Sequence, residues 1–354
     1  MHRALNTNFC ELVGVEVPIV QTGMGWVAGP RLVTATARAG GLGILASATM
    51  TLDEMTRAID EVVSATDRPF GVNLRADSPD VEDRIDVMIG RGVRVASFAQ
   101  APRRDLIERL QANGLIVIPS IGARRHAEKV LEWGVDAVLV QGGEGGGHTG
   151  SVPTTILLPQ VVDAVAGRVP VIAAGGFFDG RGLVAALAFG ADAIAMGTRF
   201  LLTSDSAVPE QVKSQYLNSG VLDTVVTKQV DGVPHRVLRT PLVEQLESTG
   251  GRLLSVPMAL RNAIRFRSLT GMSMRDMLSE GRAMKASNDL SWLQVVMAAN
   301  TPMLLKSALV DGRVDAGVMA SGQVVGVVDD LPTVDDLIDR IMSEADDLLS
   351  GWSG

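Results

Sequence analysis

The sequence predicts an α/β fold of the (β/α)8 type, a TIM barrel with an inserted or appended helical lid subdomain, and three features predict it. Short β-branched runs alternate with helical stretches from residue 17 to residue 200, which is the mark of parallel βαβ units. The runs number eight, a barrel's count. The richest glycine segments follow the sixth and seventh runs rather than the first. The rival architecture is an open doubly wound sheet, which usually carries a Gly-x-Gly-x-x-Gly phosphate loop directly after strand one. Here that segment is Thr22-Gly23-Met24-Gly25-Trp26, with a different spacing.

The predicted strands are Val17–Gln21, Gly43–Ala46, Phe70–Leu74, Val93–Phe98, Ile116–Ile121, Ala137–Gln141, Val171–Ala174 and Ala193–Met196. Most are nearly continuous apolar runs, as expected of strands covered on both faces. Between them, Thr51-Leu52-Asp53-Glu54 offers a capping box, and Pro30 and Pro102 suit first helical turns. Composition shifts after Phe200. Residues 205–290 hold the only tyrosine, Tyr216, with many Met and Arg and no βαβ rhythm. The predicted organisation is therefore a cofactor-binding barrel over 1–204, a lid or substrate subdomain over 205–290, and helices over 291–354 that close the barrel around the loop Ala320-Ser321-Gly322-Gln323.

Composition narrows the function. A net charge of -8 argues against a nucleic-acid groove, which must neutralise phosphates. A small-molecule substrate is expected instead. The single cysteine, Cys10, rules out an internal disulfide and any cysteine-rich metal or iron-sulfur site. The histidines His2, His126, His148 and His235 show no His-Glu-x-x-His spacing, so no protein metal centre is expected. No apolar run approaches the ~20 residues of a membrane span, and the N-terminus has no signal-peptide core. A cytoplasmic protein with no membrane partner follows. The apolar outer faces of barrel helices are compatible with a homo-oligomer, and equally with contact to the lid.

Barrels place their chemistry where strands end and βα loops begin, with phosphate often bound by the loops after strands seven and eight. The seventh predicted strand is followed by Gly175-Gly176-Phe177-Phe178-Asp179-Gly180 and the eighth by Gly197-Thr198-Arg199. Adjacent glycines let backbone N–H groups approach an anion, Thr198 can add a hydrogen bond and Arg199 a charge. After strand six comes Gly142-Gly143-Glu144-Gly145-Gly146-Gly147-His148-Thr149-Gly150. So many glycines are entropically costly for a mere connection, and they would let a planar ligand lie against the backbone. His148 is the side chain there that exchanges a proton near neutral pH. Glu144 either orients the loop through backbone N–H groups or contacts a ligand. Gln21, Asn73 and Gln141 end otherwise apolar strands on one barrel face, where an isoalloxazine or other heteroaromatic ring would need amide donors and acceptors.

These segments resemble the 2-nitropropane dioxygenase-like FMN flavoproteins, which include the nitronate monooxygenases and the flavin-dependent enoyl-ACP reductases. The likeness rests on Pro18-Ile19-Val20-Gln21-Thr22-Gly23-Met24, Gly40-Gly41-Leu42-Gly43, Phe70-Gly71-Val72-Asn73, the Gln141 to His148 loop, Ala173-Ala174-Gly175-Gly176 and Met196-Gly197-Thr198-Arg199-Phe200. The resemblance implies that Asn73, Gln141, Gly146 and Gly176 contact FMN and that Ala195, Met196, Gly197 and Thr198 surround its phosphate. It further implies that Gly23 and Met24 lie against the ring, that Gly322 and Gln323 return to the flavin, and that His148 is the catalytic base. The family commonly reads Glu-Ala-Gly-Gly-His-Arg in the loop, whereas Gly145 and Thr149 replace the Ala and Arg here, which puts a small nitronate substrate in doubt.

Within the family, Gln21 to Gly29, the His148 loop, Pro234-His235-Arg236-Val237-Leu238-Arg239 and Ala298 to Leu305 resemble the mycobacterial and rhodococcal flavoproteins of steroid-ring degradation. That likeness implies an FMN-dependent dehydrogenase of cholesterol catabolism, introducing a double bond into a bicyclic indane-type CoA thioester. The alternatives are a nitronate monooxygenase, an enoyl-thioester reductase running in reverse, a non-catalytic flavin scaffold or an aldolase-type barrel. NAD(H), another carrier or oxygen remain open as the electron partner, since no dinucleotide fingerprint is present and barrels bind nicotinamide without one. Arg261, Arg265 and Arg267, or Arg103, Arg104, Arg124 and Arg125, are the cations available to CoA phosphates, the second group reading better as solvated helix faces. Met258, Met272, Met274, Met277 and Met284 could mould a lid around an apolar ring system.

Overall fold

The computed structural model describes residues 1–248 and 300–352. The lid methionines and the arginines at 261, 265 and 267 lie outside the described residues, as does the second half of the 205–290 segment, from 249 onward.

The strands are β1 (Ile19–Gln21), β2 (Leu42–Ala46), β3 (Gly71–Leu74), β4 (Val95–Phe98), β5 (Ile116–Ile121), β6 (Val138–Gln141), β7 (Gly147–His148), β8 (Val171–Ala174), β9 (Ala193–Met196), β10 (Thr224–Thr227) and β11 (His235–Leu238). Eight of them, β1 to β6 with β8 and β9, close a parallel barrel in sequence order, and β9 returns to β1 through Val20 opposite Ala195. The predicted strands match these to within a residue or two. Where they overran, at Phe70 and Val93 for example, the apolar run continues beyond the ladder, because packing and backbone pairing do not end at the same residue.

Side chains alternate across each strand, so one set fills the barrel and the other faces the helices. Val20, Ile44, Val95, Ile118, Leu139 and Ile172 form the interior cluster. Helix α1 (Asn8–Val13) plugs the barrel's N-terminal mouth, and its Phe9, Cys10 and Val13 join that cluster. Cys10 is thus a buried apolar residue. The outward-facing strand residues, such as Ile19 and Val72, pack with the surrounding helices in a second, larger cluster.

Helix α2 (Pro30–Arg38) has Pro30 in its first turn, and α3 (Leu52–Ala65) carries the capping box, with Thr51 Oγ1 and Glu54 exchanging hydrogen bonds with each other's backbone N–H. Pro102 differs from expectation. Helix α5 (Arg104–Ala112) starts with Arg103 as its N-cap, so Pro102 precedes the helix and fixes the extended approach to it. Helix α4 (Val81–Gly90), α6 (Arg124–Glu132), α7 (Thr154–Val165) and α8 (Gly180–Ala188) complete the main outer ring. A C-terminal helix, Val334–Trp352, docks on α8: Gly180 N donates to Glu344 Oε2 at 2.8 Å, and a Cβ on Gly180 would sit 2.6 Å from the Ile341 carbonyl oxygen.

A small second sheet matters most for function. Strands β10 and β11 form an antiparallel pair, and β11 pairs with β7, the two residues that end the glycine loop after β6. The sequence showed no strand at His148. Glycines have low strand propensity, and the pairing partner lies 87 residues away: His235 stands opposite His148. The returning segment 319–323 adds to the same edge, with a bridge between Val237 and Ala320 and a Gln323 N to Glu144 O hydrogen bond of 3.0 Å. Among the described residues no helix is long and apolar enough to cross a membrane.

Candidate active site

A cavity of about 350 Å³ opens at the C-terminal end of the barrel strands, within the size range of cofactor and ligand sites. Its wall is assembled from the βα loops. Gly23 and Met24 come from the loop after β1, Asn73 from the end of β3, Gln141 from the end of β6, Gly175 and Gly176 from the turn after β8, and Ala195 to Thr198 from the end of β9. Gly146 and His148 approach from the glycine loop, and Gly322 from the returning segment. Arrangement in a ring at strand ends is what brings residues so distant in sequence to one wall.

The glycines serve close approach. A Cβ on Gly146 would lie 2.5 Å from the backbone of Ser321 and Gly322, so the glycine loop and the returning segment touch only because neither carries a side chain there. A Cβ on Gly23 would meet Asn73 Cβ at 2.6 Å. Gly175 and Gly176 both adopt left-handed backbone, with φ of 97° and 89°, which an L side chain rarely tolerates. The Thr198 hydroxyl accepts from Gly322 N at 2.9 Å, leaving its own proton for an acceptor in the cavity. Bare backbone, one free hydroxyl proton and the side-chain amides of Asn73 and Gln141, which offer acceptor oxygens as well as N–H groups, are the polar set that a phosphorylated heteroaromatic cofactor requires, and these residues fit FMN.

Glu144 orients the loop. Its carboxylate accepts from Thr154 N at 3.0 Å and Thr154 Oγ1 at 2.8 Å, tying the glycine loop to the start of α7. Gln141 Nε2 donates to the carbonyl of His148 at 2.8 Å, so the strand end holds the β7 backbone. A Cβ at position 145 would press on that amide at 2.6 Å. The Gly145 that departs from the family's usual alanine therefore has a local physical reason. Thr149, in place of the usual arginine, turns its hydroxyl back to Gly142 O at 3.2 Å.

His148 projects into the cavity mouth with a side chain 60% exposed, and its Nε2 lies 2.6 Å from Asp231 Oδ2. Asp231 is buried, and its carboxylate also accepts from Thr301 Oγ1 at 3.0 Å and from Val233 N at 3.1 Å. His235, on the facing strand, is buried with its ring centroid 4.6 Å from that of His148. Its Nδ1 is 3.6 Å from Asp231 Oδ2, beyond hydrogen-bond reach. Partial burial opposes charge on His148, but the hydrogen bond and charge of Asp231 outweigh it and raise the pKa above the ordinary histidine value. Burial likewise opposes charge on Asp231, and the hydrogen bond and charge of His148 overcome it, holding the carboxyl well below the usual carboxylate range. Burial pushes His235 down, so it stays neutral.

These three side chains also bring nitrogen and oxygen atoms within 4.8 Å of one another, a grouping able to hold a metal ion. No sequence spacing foretold it, since the members are contributed by separate strands and a loop. The 2.6 Å contact between His148 and Asp231 is shorter than the roughly 3.3 Å between two ligands of one tetrahedral zinc. It is the distance of two atoms sharing a proton.

Two expectations, for Gln21 and Arg199, are corrected by their surroundings. Gln21 is fully buried on the same side of β1 as the outward-facing Ile19, and its amide nitrogen donates to the Ile44 and Thr22 carbonyls, so it does not wall the cavity. Arg199 turns away from the phosphate loops, its guanidinium bonded to Asp330 at 2.8 Å and to the Leu202 carbonyl. Gln323 contributes its backbone N–H to Glu144 O, while its neighbours Gly322 and Val324 form the wall. Arg103, Arg104 and Arg124 each pair with a carboxylate on the barrel's outer helices, through Asp105, Glu108 and Glu128. Sequence reasoning missed Asp231, His235 and Thr301. The runs Pro234 to Arg239 and Ala298 to Leu305, which hold His235 and Thr301, carried likeness but no chemistry of their own, and Asp231 lies in neither.

Comparisons with known proteins agree with this geometry. Residues 6–344 match the family model of nitronate monooxygenase. The chain is 64% identical, over 96% of its own length and 96% of the relative's, to (3aS,4S,5R,7aS)-5-hydroxy-7a-methyl-1-oxo-octahydro-1H-indene-4-carboxyl-CoA dehydrogenase of Mycobacterium tuberculosis. It is 61% identical, over 96% of both chains, to the protein of the same name from Rhodococcus jostii. Among solved structures, FabK from Thermotoga maritima superposes with a TM-score of 0.78 at 34% identity, covering 98% of both chains. The chain belongs to the nitronate monooxygenase family and is a flavin-dependent oxidoreductase.

Proposed function

We propose that this protein is an FMN-dependent dehydrogenase that introduces a double bond beside the carbonyl of a hydroxy-methyl-oxo-indane carboxyl-CoA thioester. The identity of 64% over nearly the whole of two chains carries the reading, and a cavity whose wall combines bare glycine backbone with a carboxylate-bound histidine supports it.

A thioester carbonyl acidifies the hydrogen on its α-carbon, so a modest base can remove it. His148 is placed for that task. With Nε2 bonded to Asp231, the atom left to take the proton is Nδ1. Asn73 and Gln141 would meet the edge of the flavin ring, and the Gly175-Gly176 and Gly197-Thr198 turns its phosphate. FMN, when bound, supplies the acceptor for the β-hydrogen and its electron pair. NAD+ is the acceptor we assign to the second half of the cycle, the cytoplasm is its compartment, and the 205–290 segment is the cover over the substrate.

The reading is tested by anaerobic titration of the yellow holoenzyme. The indane CoA thioester should bleach the flavin absorbance stoichiometrically and NAD+ should restore it. Bleaching by a small nitronate alone would replace this function with that of a nitronate monooxygenase.

A further inference from the structure

We propose that Asp231 is the positioning residue for His148: anchored by Thr301 and the Val233 amide, it fixes the imidazole through Nε2 and leaves Nδ1 as the proton-accepting atom. This rests on the dehydrogenase reading for the identity of the substrate, though not for the geometry.

Asp231 sits in the turn between β10 and β11, and three groups surround its carboxylate. Val233 N binds Oδ1, while Thr301 Oγ1 and His148 Nε2 converge on Oδ2. Thr301 arrives from the helix Asn300–Leu309, so the anchor joins the second sheet to a different part of the chain. A carboxylate held by two neutral donors keeps its position when the histidine rotates or exchanges a proton, whereas a solvent-exposed one would not. His148 is itself largely exposed, with a free χ1 and χ2 in the absence of a partner. The hydrogen bond therefore supplies the orientation that packing does not, and the His235 ring, tilted by 51° against it, restricts the remaining rotation.

The chemistry follows from the two ring nitrogens. In the neutral ring, Nε2–H donates to the carboxylate and Nδ1 presents its lone pair to the cavity. In the proposed reaction the α C–H bond breaks, its proton goes to Nδ1 and its electron pair becomes the new C=C bond, while FMN, when bound, would supply the acceptor for the β-hydrogen and its pair. The imidazolium so formed lies against a charge that is already fixed in place, as in other His–carboxylate pairs. The remaining ionisable groups near His148 among the described residues are otherwise engaged. Glu144 is turned to Thr154, Arg236 binds Gly143 O and Thr224 Oγ1, and His235 is neutral and out of hydrogen-bond range of the carboxylate. Among the described residues Asp231 alone sets the charge beside the base.

Asp231→Asn in the FMN-loaded enzyme tests this. Nitrogen-15 NMR of labelled histidine should show the Nε2–H tautomer of His148 in the wild type, and a titration displaced to lower pH with mixed tautomers in the variant. Single-turnover flavin reduction should slow at least tenfold while substrate affinity changes less than threefold, and Asp231→Glu should recover part of the rate. An Asp231→Asn enzyme with wild-type titration, tautomer and reduction rate would overturn the proposal. Should that variant fail to hold FMN, Thr301→Val removes one anchor only: a shift of the same sign supports the assignment, and an unmoved titration overturns it. The histidine titration needs no substrate, so a wild-type enzyme that ignores the thioester would defeat the dehydrogenase reading and leave this result standing.

Discussion

Two histidines on facing strands flank one buried carboxylate, and the asymmetry of their surroundings separates their roles. His148 gains a hydrogen bond and a full opposite charge, while His235 is buried with both ring nitrogens lacking a partner among the described residues. The result is one histidine biased toward the imidazolium and one held neutral. The pH dependence has a definite sign. His148 is raised, so its contribution to stability is complete below the unfolded value of about 6.5 and is lost as pH rises through its folded value. Asp231 is lowered, so its contribution is complete above about 3.9 and is lost as pH falls. The difference in melting temperature between wild type and His148→Gln should therefore be largest between roughly pH 4 and 6.5 and shrink on the alkaline side. A difference that grows above pH 8 would contradict the pairing. At the same scale, Glu144→Gln weakens the bonds that hold the glycine loop to Thr154. A loss of about 1–3 kcal/mol, read by denaturant unfolding, is expected, together with weaker FMN retention.

At the scale of elements, the glycine loop after β6 works by what it omits. Gly146 rests against the Ser321–Gly322 backbone, and Gly145 clears the Gln141 amide that holds the His148 carbonyl. Gly146→Ala must part the two segments, since backbone atoms rather than a movable side chain occupy the space. The purified variant should carry little or no FMN, and a fully loaded yellow protein would refute the close approach. Gly145→Ala meets the Gln141 side chain rather than backbone, so it should keep its FMN and lose turnover by a factor read directly in the reductive half-reaction. The sequence exposed this loop as unusual and tied it to a cofactor, because a glycine cluster at a strand end is a local signal. It did not expose β7, β10 and β11 as one sheet. That sheet is built from two residues of one loop and a distant hairpin, and its pairing belongs to no local pattern. The carboxylate partner of His148 was hidden for the same reason, 83 residues along the chain.

Across the whole molecule, the barrel's interior and exterior are both apolar, and that is why its strands were so readily legible. A run such as Val171–Ala174, buried on each side, needs no alternation to be recognised. The polar residues near strand ends were harder to assign, because closeness to a strand end alone does not distinguish facing the cavity from facing the helices. Gln21 and Asn73 both stand near the ends of their strands, yet only Asn73 reaches the cavity wall. The C-terminal helix completes the fold from outside, through Leu337, Ile338 and Ile341 in the large cluster. Ile338→Ala should cost about 2–5 kcal/mol, measured by denaturant unfolding, while Gly180→Ala should loosen the same helix by collision with the Ile341 carbonyl.

In the proposed mechanism His148 removes a proton beside a flavin it does not itself bind. Stopped-flow reduction of wild-type and His148→Ala holoenzymes by the indane CoA thioester, under anaerobic conditions, separates the two roles. Equal FMN content is expected in both, with reduction slowed by about a hundredfold or more in the variant, the range of general-base catalysis. Equal reduction rates, or a variant that has lost its FMN, would contradict it.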